Sequence, residues 1–226
     1  MVWTKLAKMK VLYAEIALLS TALAASRTSP PNGCITVAKS GGNFATIQSA
    51  LNSLSTSTSG SQCIFIGPGT YKEQVVVPAR SAQLTIYGST SDDTSYASNT
   101  VTITYGLSQN DGLSNDETAT LRVKAKGFRL YNVNVVNSYG EGSQAVALSA
   151  AVNSGYYGSS FVGFQDTVLS NEGNQIYIKC MITGATDFIF GQRASTWFER
   201  VDIRVVAKSL GYITGKIEPT LDLKHF

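Results

Sequence analysis

Charge is scarce in this chain of 226 residues: Asp, Glu, Lys and Arg make up 15% of it, well under the usual quarter. A helical bundle or coiled coil draws on Glu, Lys, Arg, Ala and Leu in bulk, and a disordered charged tail needs more charge still. No block of five like charges occurs, so a nucleic-acid-binding patch has no footing and nucleic acid is not an expected partner. Histidine appears once, at His225, and the three cysteines, Cys34, Cys63 and Cys180, form no Cys-x-x-Cys. A Cys/His metal site is thereby disfavoured. Three cysteines leave at least one without a partner in the chain, and which of them pair stays open. Past residue 25 no apolar run is long enough to suggest a membrane span.

Residues 1–24 differ from the rest. Lys5, Lys8 and Lys10 precede an apolar run from Val11 to Leu23, interrupted by Glu15 and closing on Ala22-Leu23-Ala24. A basic start, an apolar stretch and an Ala-x-Ala end describe a secretory signal peptide, and the run is short for a membrane anchor. Removing three Lys and one Glu with this segment lowers the formal charge from +3 to +1, so the basic balance gives no reason to expect an acidic partner. The expected product is secreted, extracellular, free of the membrane and monomeric.

Glycine (20 residues) and abundant Ser, Thr and Asn accompany a hydrophobic fraction of 43%, which suits a loop-rich, strand-rich globular chain. One helix is expected near the start, where Phe44, Ile47, Leu51 and Leu54 recur at helical spacing. Short strands follow at 64–66, 74–77, 84–87, 101–105, 120–123, 128–136, 145–148, 160–162, 175–178 and 201–206, each bounded by Gly, Pro, Asn or Ser. None has a long helical partner, which disfavours a doubly wound α/β sheet. Tyr157, Tyr177 and Trp197 align at a spacing of 20, as do Phe161, Met181 and Val201. A period near 20 with Gly-punctuated strands and no helices suggests a parallel β-helix, in which each coil is stabilised by its neighbours. A β-sandwich would also give many short strands.

Two carboxylates stand out against this repeat, Asp166 and Asp187. They lie 21 residues apart, one repeat plus one residue. In a coil with strands about 4.8 Å apart both would emerge on the same side. Two close carboxylates do not both ionise readily, so one becomes a proton donor and the other a nucleophile or base. Phe164, Phe188 and Phe190 flank them and lower the local dielectric. Gln165 offers an amide to a developing oxyanion, and Gln144 is a second such amide.

Four ordered segments carry a family resemblance: Gly163-Phe164-Gln165-Asp166-Thr167, the stretch from Gly184 through Asp187 to Gly191, Gly69-Thr70-Tyr71-Lys72-Glu73, and Gln144-Ala145-Val146-Ala147-Leu148. In order and spacing they resemble the signatures of the pectin methylesterase (pectinesterase) family, most of all its fungal secreted members, over about residues 35 to 214. The resemblance implies an all-β fold, a right-handed parallel β-helix with a short N-terminal helix. It also implies hydrolysis of galacturonate methyl esters in pectin (homogalacturonan), with methanol and free carboxylate as products. By position Asp187 matches the nucleophile, Asp166 the general acid/base, and Gln144 and Gln165 the oxyanion-holding amides. Phe190 and Thr120 match substrate-contacting positions, together with Gln144. Tyr71 and Glu73 read as structural, Tyr156 and Tyr157 as stacking in the coil, and Trp197 as core or groove.

The family's downstream Leu-Gly-Arg-Pro-Trp element, whose arginine pairs with the nucleophile, has no counterpart in this sequence. The expected organisation is a leader over 1–24, an incomplete β-helix domain over 25–214 lacking its C-terminal turns, and a tail over 215–226 that does not resemble the family. Arg193 reads as a rim arginine. Weak or absent turnover is the expectation for the chain as written. A non-catalytic pectin-binding or misfolded product is the alternative. A polygalacturonase or lyase is disfavoured because His225 is the only histidine and no acidic Ca²⁺ cluster is seen.

Overall fold

The computed structural model describes residues 25–207 and 209–216. The expected leader and the tail beyond Lys216, with His225, lie outside the described residues. Within them the chain is a parallel β-solenoid of three sheets. The first stacks Ile35–Val37, Ser61–Ile66, Gln83–Gly88, Phe128–Tyr131, Ser154–Tyr157, Glu172–Ile178 and Arg193–Glu199. The second stacks Val75–Val77, Leu121–Val123, Leu148–Ala150, Val168–Ser170, Ile189–Gly191 and Thr214–Lys216. The third stacks Gly69–Lys72, Val101–Tyr105, Asn134–Asn137, Ser160–Val162, Met181–Gly184 and Asp202–Val205.

The core is built as columns, because parallel in-register stacking puts like positions above one another. Ile64, Ile86, Leu130, Tyr156 and Tyr177 form one column. Val75, Leu121, Leu148, Val168 and Ile189 form the second, and Tyr71, Ile103, Val135, Phe161 and Ile182 the third. All fifteen side chains are buried. Each alternate residue points inward, so a strand here needs only one or two apolar positions. That explains why three- and four-residue strands suffice.

Tyr156 stacks on Tyr177 at 4.7 Å, and Tyr177 on Phe198 at 5.1 Å. A second ladder runs outside the same sheet, Tyr131 on Tyr157 at 4.5 Å and Tyr87 on Tyr131 at 5.2 Å, with the Arg27 guanidinium 4.9 Å from the Tyr87 ring. Both ladders repeat at about the strand spacing, which suits stacked rings.

The register corrects the expected period. Ser154 pairs with Gln175, Ser160 with Met181 and Val168 with Ile189, each an offset of 21; the offset of 20 holds where Leu148 pairs with Val168. Tyr177 therefore lies opposite Tyr156, not Tyr157, and Trp197 lies opposite Ile176. A slip of one residue exchanges the inner for the outer face, and Trp197 is 66% exposed rather than in the core. The expected strand over 128–136 is two strands, broken at Asn132, whose φ is 54°. Gly158, Lys179 and Arg200 repeat this left-handed corner in the following coils, at φ 53°, 52° and 52°.

Helix α1 spans Ile47–Ser53, three residues later than the expected start, because Phe44 pairs with Val37 in a bridge instead. It buries Ile47, Ala50 and Leu51 against the first coil. Thr46 is its N-cap, and the Glu73 carboxylate accepts the Ile47 and Gln48 amides at 2.8 and 2.9 Å. An acidic side chain on the free amides of a helix start is stabilising, which is the structural role expected of Glu73. The Tyr71 hydroxyl donates to the Gly67 carbonyl at 2.9 Å. Cys34 and Cys63 form a disulfide, and Cys180 is a buried free thiol.

Candidate active site

The site grows from a corner of the coil. Between the third and second sheets the chain turns through Asp166 in one coil and Asp187 in the next, at φ 65° and 46°. Among non-glycine residues Asp and Asn tolerate this left-handed region best. Gln165 pairs with Thr186 in a parallel bridge, so the two carboxylates hold equivalent positions in adjacent coils. Asp187 is thus one full repeat beyond Asp166. Each corner is entered through a glycine. A Cβ on Gly184 would sit 2.2 Å from the Phe188 Cβ, and one on Gly163 would sit 2.7 Å from the Thr167 hydroxyl, so no larger residue fits the bend as it stands.

A third coil adds Gln144, 21 residues before Gln165. The Ala145 amide donates to the Gln165 carbonyl at 3.1 Å and the Gln109 amide donates to the Gln144 carbonyl at 2.9 Å. Both glutamine backbones are fixed, while their side-chain amides make no hydrogen bond among the described residues and line an open cleft. That cleft, about 330 Å³, is bounded by Asn115, Gln144, Gln165, Asp166, Asp187, Phe190 and Gly215. A larger hollow, about 390 Å³, lies beside Trp197 on the first sheet, but its lining contains no titratable side chain.

The two carboxylates differ in environment. Asp166 is 7% exposed; burial, reinforced by the negative charge of Asp187, raises its pKa to about 7. The Asn115 amide opposes this by donating to Asp166 Oδ2 at 3.3 Å. Asp187 is partly exposed and forms no ion pair among the described residues. The cleft therefore pairs a carboxyl that keeps its proton to near neutrality with a second carboxyl open to solvent, flanked by two free amide donors. Such a set can attack an acyl carbon, hold the resulting oxyanion and protonate a leaving oxygen.

Five of the six residues expected to act together, Asp187, Asp166, Gln165, Gln144 and Phe190, share this cleft. Thr120 does not reach it. It is fully buried, and its hydroxyl donates to the Val136 carbonyl at 3.0 Å, which makes it a rung of the coil and corrects the expected substrate contact. Arg193 pairs with Glu172 across adjacent coils at 3.1 Å, with both side chains more than half exposed. Asn115 and Gly215 were not expected. Asn115 opens the short helix α2, Asn115–Thr118, and Ser114 with Glu117 spells its capping box, a signal visible in sequence. Gly215 begins the segment expected to be foreign, yet it belongs to the strand Thr214–Lys216, which pairs with Ile189–Gly191.

The chain resembles known proteins in sequence and in fold. The sequence profile of the pectinesterase family matches residues 34–211. A pectinesterase from Aspergillus aculeatus is 56% identical over 189 residues, covering 82% of this chain and 57% of that protein. One from Aspergillus niger is 49% identical over 199 residues, covering 87% and 60%. The chain thus spans less than two thirds of the length of these relatives. In three dimensions it resembles the crystal structure of the pectin methylesterase from Aspergillus niger with a TM-score of 0.81 at 45% identity, over 87% of this chain and 64% of the other. Carrot pectin methylesterase gives a TM-score of 0.70 at 28% identity, over 80% and 54%. With its coil, its four signature segments and this degree of likeness, the chain belongs to the pectinesterase family.

Proposed function

We propose that the cleft hydrolyses methyl esters of galacturonate units in pectin. The observation that carries this reading is the placing of Asp166 and Asp187 at one corner of consecutive coils, in different environments, beside the amides of Gln144 and Gln165. An oxygen of the Asp187 carboxylate attacks the ester carbonyl carbon. Gln144 and Gln165 hold the tetrahedral oxyanion, and Asp166 gives its proton to the departing methoxide, releasing methanol. The acyl-enzyme is a mixed anhydride. Asp166, now a base, takes one proton from water, whose oxygen attacks the galacturonyl carbon and displaces the Asp187 carboxylate; the galacturonic acid then loses its proton to solvent. Every step uses the chain's own side chains, without a metal or organic cofactor. Phe190 supplies an apolar wall for the sugar.

The reading extends to place. We infer secretion to the extracellular space, as a monomer acting on the polymer, without membrane or nucleic-acid partners. The Cys34–Cys63 disulfide supports an oxidising destination. The described residues contain no helix long and apolar enough to cross a membrane.

Methanol release from methyl-esterified pectin tests the proposal. Asp187 has no cationic partner among the described residues, so slow turnover is expected and the assay needs high enzyme concentration. Methanol should appear with no new reducing ends and no unsaturated products, and Asp187→Asn should lower the rate on the order of 10³-fold or more. Chain cleavage would point instead to another pectin-active enzyme. Binding without methanol release would favour a non-catalytic role.

A further inference from the structure

Between the strands Val101–Tyr105 and Leu121–Val123 the chain leaves the coil and forms one wall of the cleft. Two capping boxes stiffen it. Ser108 and Asp111 close a single 3₁₀ turn, and Ser114 and Glu117 close α2. Between these turns a side-chain relay runs into the site. Gln109 Nε2 donates to Asn115 Oδ1 at 2.7 Å, and Asn115 Nδ2 donates to Asp166 Oδ2 at 3.3 Å. The first bond decides the second: with its oxygen occupied by Gln109, the Asn115 amide can turn only its NH₂ group towards Asp166. Asp166 Oδ1 accepts no hydrogen bond among the described residues. The same turn also fixes Gln144, whose carbonyl accepts the Gln109 amide.

From this geometry, and resting on the ester-hydrolase reading above, we propose that Asn115, oriented by Gln109, is a positioning residue for Asp166. It ties down Oδ2, leaving Oδ1 as the oxygen that gives and takes the catalytic proton. An NH donor on a carboxylate also favours the ionised form. Asn115 therefore limits how far burial and Asp187 push Asp166 towards the protonated state, and keeps it able to act as a base in the second half of the reaction. Asp187, in the next coil, is the charged group acting directly on Asp166. Asp116, beside Asn115 on α2, is engaged by Arg122, Lys124 and Ser149.

Two variants test this. Asn115→Leu removes the donor at similar volume. Gln109→Glu leaves Asn115 in place but removes the donor to its oxygen, so the amide turns over and presents Oδ1 to Asp166. Both should lower kcat about tenfold with KM within about twofold, and both should move the alkaline limb of the rate profile to higher pH. The Asp166 carboxyl, followed by ¹³C NMR, should titrate at higher pH in both. An unchanged titration midpoint in both folded variants overturns the proposal. If Asp166→Asn keeps the parent's activity, the ester-hydrolase reading fails instead, and the NMR titration still decides whether Asn115 acts on Asp166.

Discussion

Asp166 and Asp187 occupy the same corner in consecutive coils with the same left-handed backbone, yet the first is buried and the second is partly open to solvent. A single side-chain type thereby stands in two environments, and in the proposed reaction the buried copy would donate the proton while the open one attacks.

The pH dependence follows from this inequality. Asp166 holds its proton to about 7, whereas an unfolded aspartate releases it near 4. Its stabilising contribution is full below pH 4 and is lost as pH rises through 7. Asp166→Asn cannot ionise, and Asn suits a φ of 65°. Its melting temperature should match the parent's near pH 4 and exceed it at pH 8, by roughly 1–3 kcal/mol in stability. A parent that gains stability relative to this variant between pH 4 and 8 contradicts the assignment. In the parent, kcat/KM should fall above pH 7 as the proton for methoxide disappears.

The two amides should separate binding from chemistry. Gln144→Ala and Gln165→Ala each remove one of the amides proposed to hold the oxyanion, and each should lower kcat by about 10²–10³-fold. KM for pectin should change less at Gln165 than at Gln144, which also matches a substrate-contacting position of the family. Steady-state methanol release on both variants gives the comparison.

Gly215 offers a steric test. A Cβ there would lie 2.8 Å from the Asp187 Cβ and 3.1 Å from Oδ1. Gly215→Leu therefore fills the cleft and displaces Asp187. Methanol release should disappear while the far-UV spectrum and unfolding midpoint stay near the parent's. Full activity in this variant would show that the Thr214–Lys216 strand is displaced from Asp187 in solution.

The 21-residue register is open to mutation as well. Tyr156 is buried between Tyr177 and Phe128, whereas its neighbour Tyr157 stacks on Tyr131 outside the sheet. Tyr156→Ala should cost about 3–5 kcal/mol and Tyr157→Ala about 1 kcal/mol. Chemical denaturation of the two variants would expose a register in which the roles are exchanged.

The coil and its carboxylate pair were legible in the sequence because stacking repeats them. Asp187 echoes Asp166, and Gln165 echoes Gln144. Spacing alone puts the phase one residue off because Tyr156 and Tyr157 are adjacent aromatics, and the outer one lies 20 residues from Tyr177. The break at Asn132 was hidden because a polar corner residue between Phe128-Arg129-Leu130-Tyr131 and a Val-rich stretch does not interrupt a strand pattern. The Cys34–Cys63 bond was one of three possible pairings. Asn115 lies 51 residues from Asp166, outside the repeat; its capping box marked a helix start but not what that helix would face. Thr120 fitted both a ligand contact and a coil rung, and only its burial separates the two.

The left-handed corners at positions 166 and 187 also bear on how such a chain ages. Holding a carboxylate in that conformation costs roughly 1 kcal/mol or more each, and glycine would relieve the strain at both. The fold gains nothing from these two aspartates that glycine or asparagine would not provide. In the ester-hydrolase reading, the reaction is what these two carboxylates supply. A lineage released from selection for that reaction should change at these two corners before it changes in the columns of the core, growing more stable as it loses its chemistry. Relatives carrying glycine or asparagine at both positions are where a coil retained for binding alone should be sought.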